Sequence, residues 1–472
     1  MKTDCTQTDF EFQGVGRRKV VARFDAEHIS SDGGLPLVRE VDARLGLLAG
    51  LAACFEDHRR EDLVEHSVED LIRQRVFATV AGYEDLNDHE QLSRDPLLAT
   101  VVGKADVEGH KRRRPEDAGQ PLASPSTLNR LELTPADATA ASRYKKIVCD
   151  GGAVESFFVE AFIKQQRQVP EEVVLDLDAT DDPLHGTQEG RFFHGYYGHY
   201  CYLPLYVFCG SDLLVAKLRP SNIDGSAGAQ EEVERVVRQI RSAWPDVKVV
   251  LRADSGFARD GLMSWCESND VGYVFGLAKN ARLVEMIAED LATAERRSKE
   301  TERPEREFRE LTYQTLTSWS RARRVVAKAE HILNKSNPRF VVTTLPENRY
   351  DARALYEDLY CARGDMENRI KEQQLALFAD RTSAHTMRAN QLRLWFASAA
   401  YVLMNALRRF GLAGTDLERA QCDTIRTRLI KVGALVTVSV RRVLLRLSAA
   451  APAQAIFDQV FQNLADRLPA PT

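Results

Sequence analysis

Three acidic residues stand where a folded chain can bring carboxylates together. Val173-Val174-Leu175-Asp176-Leu177-Asp178 reads as a strand that closes on Asp178, and the strand-like Val249 to Ala253 is followed at once by Asp254. Functional groups in open α/β sheets collect where strands end, so both acids can face one crevice. The third acid, Glu367, lies in a helical segment. At about 100° per residue, Tyr360, Arg363, Glu367, Lys371 and Gln374 fall within one arc of roughly 80°, beside an apolar stripe of Met366, Ile370 and Leu377. Converging carboxylate oxygens hold hard divalent cations such as Mg2+, and two such ions about 3.5–4 Å apart serve in-line attack on a phosphodiester. Taken singly, these residues also fit plainer roles: acids are common at strand ends, and Glu367 with Lys371 makes an ordinary i,i+4 surface pair.

The elements that must position these acids follow from the apolar pattern. The first ~20 residues are polar and read as irregular and mobile. Helical spacing runs from Leu37 to about Ala99, as in Leu63, Val64, Val68, Leu71, Ile72, Val76 and Val80. A polar loop over 103–120 carries His110-Lys111-Arg112-Arg113-Arg114, and Ser124-Pro125 opens a short capped helix. That helix suits either a DNA groove or an ordinary surface. After Glu172 the texture changes to strands (to Asp178, Tyr202 to Cys209, Leu213 to Leu218), a helix (Gln230 to Trp244), a strand, a helix (Asp260 to Asn269) and a strand (Gly272 to Leu277). Meandering strands followed by βαβ-type units predict a mixed sheet with helices packed on it. Strand-like runs return at Arg309 to Thr315, Arg324 to Ala329 and Arg339 to Thr344. Helices follow over 352–378 and 386–410, and alternation at Val436, Val438 and Val440 precedes a last helix.

At 472 residues the chain needs several domains. With 44% hydrophobic and 28% charged residues it falls in the globular class, not the disordered or membrane classes. The apolar stretch Leu394 to Leu407 is shorter than the roughly 20 residues that span a bilayer and reads as a buried helix. The start of the chain has no apolar signal region, so a cytoplasmic location and no membrane partner are expected. Eight cysteines without a C-x-x-C pair (5, 54, 149, 201, 209, 266, 361, 422) read as reduced packing residues. The net charge of −5 conceals local basic runs: beside the 110–114 cluster, Arg426, Arg428, Lys431, Arg441, Arg442 and Arg446 face only Asp423. Such surfaces on an acidic whole are compatible with DNA as well as with a solvated face.

The segments LDLDATDDPLHG (175–186), LRADSGFAR (251–259) and YCARGDMENRIKE (360–372), in that order, resemble those of bacterial insertion-sequence DDE transposases. More narrowly, they resemble the insertion sequence 1380 family, in the broader group with a tyrosine, arginine, glutamate, lysine signature. The resemblance covers nearly the whole chain, including SPSTLNRLE and the basic C-terminal segment. It implies an α/β, RNase H-like mixed sheet with a β-rich insertion. The implied division is a helical, DNA-end-binding 1–150; catalytic-domain segments 151–280 and 351–412 around the insertion 281–350; and a basic 413–472. It implies Asp178, Asp254 and Glu367 as catalytic and metal-holding acids for two Mg2+ ions, with Mn2+ as a substitute. Asp178 bridges, and Asp176, on the same strand face, is its rival. Arg363 would hold a phosphate and Tyr360 the DNA near the scissile end, with Lys371, Gln374, Arg441 and Arg442 as further DNA contacts. His185, His194 and His199 lie in the loop after the first strand and can touch DNA or assist proton transfer.

One position departs from that family signature: Gln374 stands where it carries lysine, so Lys371 is expected to supply the charged phosphate contact and Gln374 a neutral hydrogen bond. The implied reaction is cut-and-paste transposition by a homodimer acting on terminal inverted repeats and target DNA, by way of a hairpin on the cleaved end. The alternatives are an RNase H-like nuclease without strand transfer, or a non-catalytic DNA-binding protein derived from a transposase.

Overall fold

A computed structural model of the chain describes residues 9–332 and 335–470. Its centre is a nine-stranded mixed sheet. Strand β1 (Glu172–Ala179) is followed by a small satellite sheet of β2 (Asp182–Pro183), β3 (Phe192–His194) and β4 (His199–Tyr202). The main sheet then resumes with β5 (Leu205–Cys209), β6 (Asp212–Lys217), β7 (Lys248–Ala253) and β8 (Val271–Leu277), and later β9 (Glu305–Tyr313), β10 (Arg323–Ile332) and β11 (Arg339–Thr343). The spatial order is β6-β5-β1-β7-β8-β11-β10-β9, with Lys335–Ser336 paired to β10. β5 runs antiparallel to β1, whereas β7 runs parallel to β1 and β8 parallel to β7. The strands expected in 281–350 thus extend the sheet from β8 outward, antiparallel throughout.

Alternation sets what β1 offers to each side. Val173, Leu175 and Leu177 enter a core with helix α1 (Ala229–Ala243) and helix α2 (Asp260–Ser268), while Val174, Asp176 and Asp178 take the opposite face. Over that face runs a helical stretch that ends in α3 (Gly364–Leu377). The apolar helix α4 (Met387–Ala406) follows, buried around nearly its whole circumference, as its all-round hydrophobicity demands. One continuous core joins α4 to the N-terminal helices Leu35–Leu45 and Val68–Ala81 and to the C-terminal helix Gln454–Arg467. No helix among the described residues is long and apolar enough to cross a membrane.

Two local expectations are corrected, and one further segment is assigned. Within the first ~20 residues, expected to be irregular, Phe10–Val15 and Arg18–Ala22 form an exposed hairpin whose pairing lets the backbone satisfy itself without a core; residues 1–8 lie outside the description. The single strand expected over Tyr202 to Cys209 is two, because Pro204 lacks the N–H a continuous ladder would use. The charged segment before β9 is a helix, Ala288–Thr301, with lysine and arginine in its body and only Ala294 buried. The cysteines at 54, 149, 201, 209, 266, 361 and 422 are free thiols, and Cys5 lies outside the described residues.

Candidate active site

Parallel pairing places Leu177 beside Ala253, and the same register carried one residue further sets Asp178 beside Asp254 at neighbouring strand ends. Each acid is held by local backbone. The Ala179 N–H donates to Asp178 Oδ1 at 2.9 Å, and the Gly256 N–H donates to Asp254 Oδ1 at 2.8 Å, so Asp254 caps the short turn Ser255–Phe257. From the other side a wide turn at Leu355–Tyr360 and a tight one at Cys361–Arg363 lead into α3. These turns aim Tyr360, Arg363 and Glu367 at the strand ends. Arg363 Nη2 lies 2.8 Å from Glu367 Oε1 and Nη1 lies 3.7 Å from Asp178 Oδ2. Gly276 on β8 makes room: a Cβ there would stand 2.6 Å from the Tyr360 hydroxyl and 3.0 Å from the Ser255 nitrogen.

The electrostatics are those of crowded acids. Burial, reinforced by the charges of Asp254 and Glu367 and opposed by Arg363, pushes the Asp178 carboxyl up to about 7. Burial works against the charge on Arg363, yet Asp178, Tyr360, Glu367 and Asp254 together raise its pKa above the usual arginine value. Burial, with the charge of Asp254, also raises the Tyr360 phenol. Hard oxygen donors carrying more negative charge than one guanidinium balances suit a divalent cation in kind. Among the described residues, however, no three acids, histidines or cysteines close into a metal-holding group, and Arg363 is what stands between Asp178 and Glu367.

Asp176 is not free to compete with Asp178. Both of its oxygens are taken by Arg252, Nε to Oδ1 at 2.5 Å and Nη2 to Oδ2 at 2.7 Å, in a pair that is buried on both sides. The remaining guanidinium nitrogen, Nη1, donates to the Leu359 carbonyl at 2.6 Å, which ties the turn before Tyr360 to the sheet. On the far side of α3, buried Glu372 accepts from Arg408 and from the Cys422 N–H at 2.7 Å, fixing the helix to the turn after α4 and to the segment that begins at Cys422.

Gln374 and much of the basic run have partners within the chain. The Gln374 amide donates to Asp182 Oδ1 at 2.9 Å and to the Asp181 carbonyl at 3.1 Å, so it latches α3 to β2 and has no donor left to reach a phosphate. Asp182 is fully buried, and burial pushes its carboxyl up to about 8. Gln374→Leu should therefore strip a buried acid of its donor and lower unfolding stability by about 1–3 kcal/mol in urea melts. Gln374→Lys should lose far less, since an ammonium can meet Asp182; equal losses would mean that this contact does not latch the helix. Lys371 is exposed and makes no ion pair among the described residues, while Glu367 pairs with Arg363 instead.

Of the C-terminal cations, Arg426 is turned inward onto the Val80, Thr79 and Ala376 carbonyls, Arg428 pairs with Asp416, and Lys431 pairs with Asp32. Arg441, Arg442 and Arg446 remain exposed on the hairpin Ala434–Ser439/Arg442–Leu447. In the 110–114 cluster, Arg112 is likewise absorbed by Glu65 and by the Gln120 carbonyl, and Arg113 by the Asp62 carbonyl. The Pro125–Glu132 helix buries Leu128, Leu131 and Glu132, the last held by Arg75 and Arg393. His194 and His199 lie on β3 and β4, not in an open loop, and His199 Nε2 is 2.7 Å from Asp181 Oδ2; His185 is exposed.

Two cations were not singled out from the sequence. Lys279 and Arg339 line a cleft of about 560 Å³ with Ser255, Gly276, Tyr356 and Tyr360, directly beside Asp254. Neither stands in a motif; the ends of β8 and β11 bring them together.

A family model described as transposase DDE domain, group 1, matches residues 12–469. No curated protein matches the sequence. Among solved structures, a piggyBac transposase synaptic complex with hairpin DNA is similar at a TM-score of 0.40 and 12% identity, over 94% of this chain and 83% of that one. A likeness so loose fixes no arrangement of strands or residues.

Proposed function

Because the chain belongs to the group 1 transposase DDE domain family, we propose that it is a DNA transposase that cuts the ends of an insertion sequence and joins them to target DNA. Asp178, Asp254 and Glu367 are its metal-holding carboxylates in this reading. The observation that carries it is the convergence of two strand-end acids and one helix-borne acid around Arg363 and beneath Tyr360. The strand order β6-β5-β1-β7-β8, antiparallel among β6, β5 and β1 and parallel from β1 through β7 to β8, supports an RNase H-like catalytic core. The three-motif resemblance supports placement in the insertion sequence 1380 family.

DDE transposases generally use divalent metals. Bound Mg2+ ions would supply charge to the attacking and leaving oxygens of an in-line displacement. The chain's own residues do the rest. Asp178, buried beside two acids, is the ligand with the most to gain from a cation. Arg363 exchanges its carboxylate partners for the phosphate that enters between them, for which its planar fork is suited. Tyr360, packed on Gly276, keeps that phosphate in line, and Lys279 and Arg339 take flanking phosphates in the adjoining cleft. Arg441, Arg442, Arg446 and exposed Lys371 provide contacts along the duplex. Two copies hold the two ends of the element in the bacterial cytoplasm.

Incubating the protein with Mg2+ and duplexes carrying the inverted repeats that flank its gene tests the proposal. The expected products are cut ends covalently joined to a second duplex. Cut but never joined ends would make it a nuclease, and retarded but uncut DNA a binding protein.

A further inference from the structure

The densest aromatic run in the chain has no part in the site described above. From Arg191 to Tyr200 the sequence is Arg-Phe-Phe-His-Gly-Tyr-Tyr-Gly-His-Tyr, without one aliphatic side chain. It forms β3 and the start of β4, the edge and central strands of the satellite sheet β2-β4-β3, which is too small to bury a face of its own. Phe192, Phe193, Tyr196 and Tyr200 are 41%, 57%, 86% and 44% exposed, which is costly for rings that meet only water.

The root of this flap is rigid. Gln188 Nε2 donates to the Thr382 carbonyl at 3.1 Å, the Glu189 N–H to the His385 carbonyl at 2.8 Å, and Ser221 Oγ to the Phe192 carbonyl at 3.0 Å. Gln374, on the helix that carries Glu367, grips Asp181 and Asp182 at its base. The tip is free. The Gly198 N–H closes the turn onto the His194 carbonyl at 2.8 Å with φ +76°, a conformation that suits glycine. This turn projects Tyr196 outward.

Cross-strand pairing sorts the rings into two faces. One bears Phe193 and Tyr200, 5.6 Å apart edge to face, with the Arg191 guanidinium 3.8 Å above the Tyr200 ring. The other bears His194 and His199, with Tyr197 packed against both. His199 meets Asp181, three residues beyond Asp178, and a buried His194 Nδ1 has no partner among the described residues. Burial and the charges of Asp181 and Asp178 push the Tyr197 phenol up to about 12, so that ring lies within the field of the candidate site.

Exposed rings interleaved with a guanidinium and imidazoles make a surface for flat partners, and nucleobases stack on such platforms regardless of sequence. Asp178 is recessed, its side chain 16% exposed, and the flap stands beside it. We propose that the flap tip, through Tyr196 and the Phe193–Tyr200 pair, stacks on bases unpaired at the DNA end held by Asp178, Asp254 and Glu367. This inference rests on the transposase reading and deepens it.

The test uses the full-length protein without divalent metal, a blunt 20-base-pair duplex and the same duplex with a forked, thymine-rich end. The intact protein should bind the fork more tightly than the blunt duplex. Tyr196→Ala and Phe193→Ala, both at exposed positions, should each weaken fork binding about tenfold, the scale of one lost base stack, and leave blunt-duplex binding unchanged. Tyr196→Trp should keep the preference, with tryptophan fluorescence quenched by the fork. Fork and blunt affinities that both stay at parental values in the alanine variants would overturn the proposal. So would a change confined to self-association in sedimentation, which would assign the flap to contact between copies. Failure of the intact protein to cut any DNA with Mg2+ would overturn the transposase reading instead, a result separate from the fork preference.

Discussion

Asp178→Asn should lower Mg2+-dependent cleavage of end DNA by at least about a thousandfold while leaving end binding within about twofold and the fold no less stable. The first figure corresponds to the several kcal/mol of transition-state charge stabilisation that metal-held oxygens supply. The second follows because duplex contacts are assigned to exposed cations elsewhere, on the Arg442–Leu447 strand and in the Lys279–Arg339 cleft. The third follows from geometry. An amide oxygen can keep the 2.9 Å bond from the Ala179 N–H, and removing one of three crowded acids relieves repulsion that Arg363 alone now offsets. Sites that trade stability for activity gain stability when blunted. Asp254→Asn and Glu367→Gln should lose cleavage to a similar degree. A gel-shift titration, a single-turnover cleavage assay and a thermal melt in chelator together check the set. Substantial cleavage by any one variant removes that residue from the triad, and a variant that neither cuts nor folds decides nothing without the melt, which is why the melt belongs to the test.

The sequence made the acids legible because each sits in a short-range pattern. Asp178 and Asp254 end apolar strand runs, and Tyr360, Arg363 and Glu367 share a helical arc; the structure brings these five side chains to one place. What was not legible depends on partners far along the chain. Gln374 reads from sequence as a neutral phosphate contact, and only the fold shows that its amide donates to Asp182, distant in sequence and fully buried. Arg426 counted toward a basic run, yet it closes carbonyls at Thr79 and Val80 across the shared core. No local spacing distinguishes such an arginine from Arg441, which stays in solvent. The satellite sheet escaped notice because its strands are only two to four residues long and are interrupted by glycines.

Arg252→Met should destabilise the fold by about 3–5 kcal/mol, the cost of leaving a buried carboxylate without its partner. Asp176 would keep its burial and lose both guanidinium bonds. Adding Asp176→Leu should return most of that stability, because a buried ion pair replaced by packed apolar side chains is often neutral or better. Cleavage should not return with it. The third bond of Arg252, to the Leu359 carbonyl, is what ties the wide turn to the sheet, and Tyr360 and Arg363 follow that turn directly. Without this tether the turn keeps only its apolar packing through Leu355 and Tyr356, which holds the helix entry less firmly. A displacement of about 1 Å in a group that positions a phosphate costs on the order of a hundredfold in rate. The double variant should therefore melt near the parent in urea and cleave about a hundredfold more slowly, with end binding little changed. Parental cleavage by a stable double variant would show that the pair serves folding alone. Loss of cleavage by Asp176→Asn in a chain that keeps its stability and its Leu359 tether would instead return Asp176 to contention as the first metal ligand.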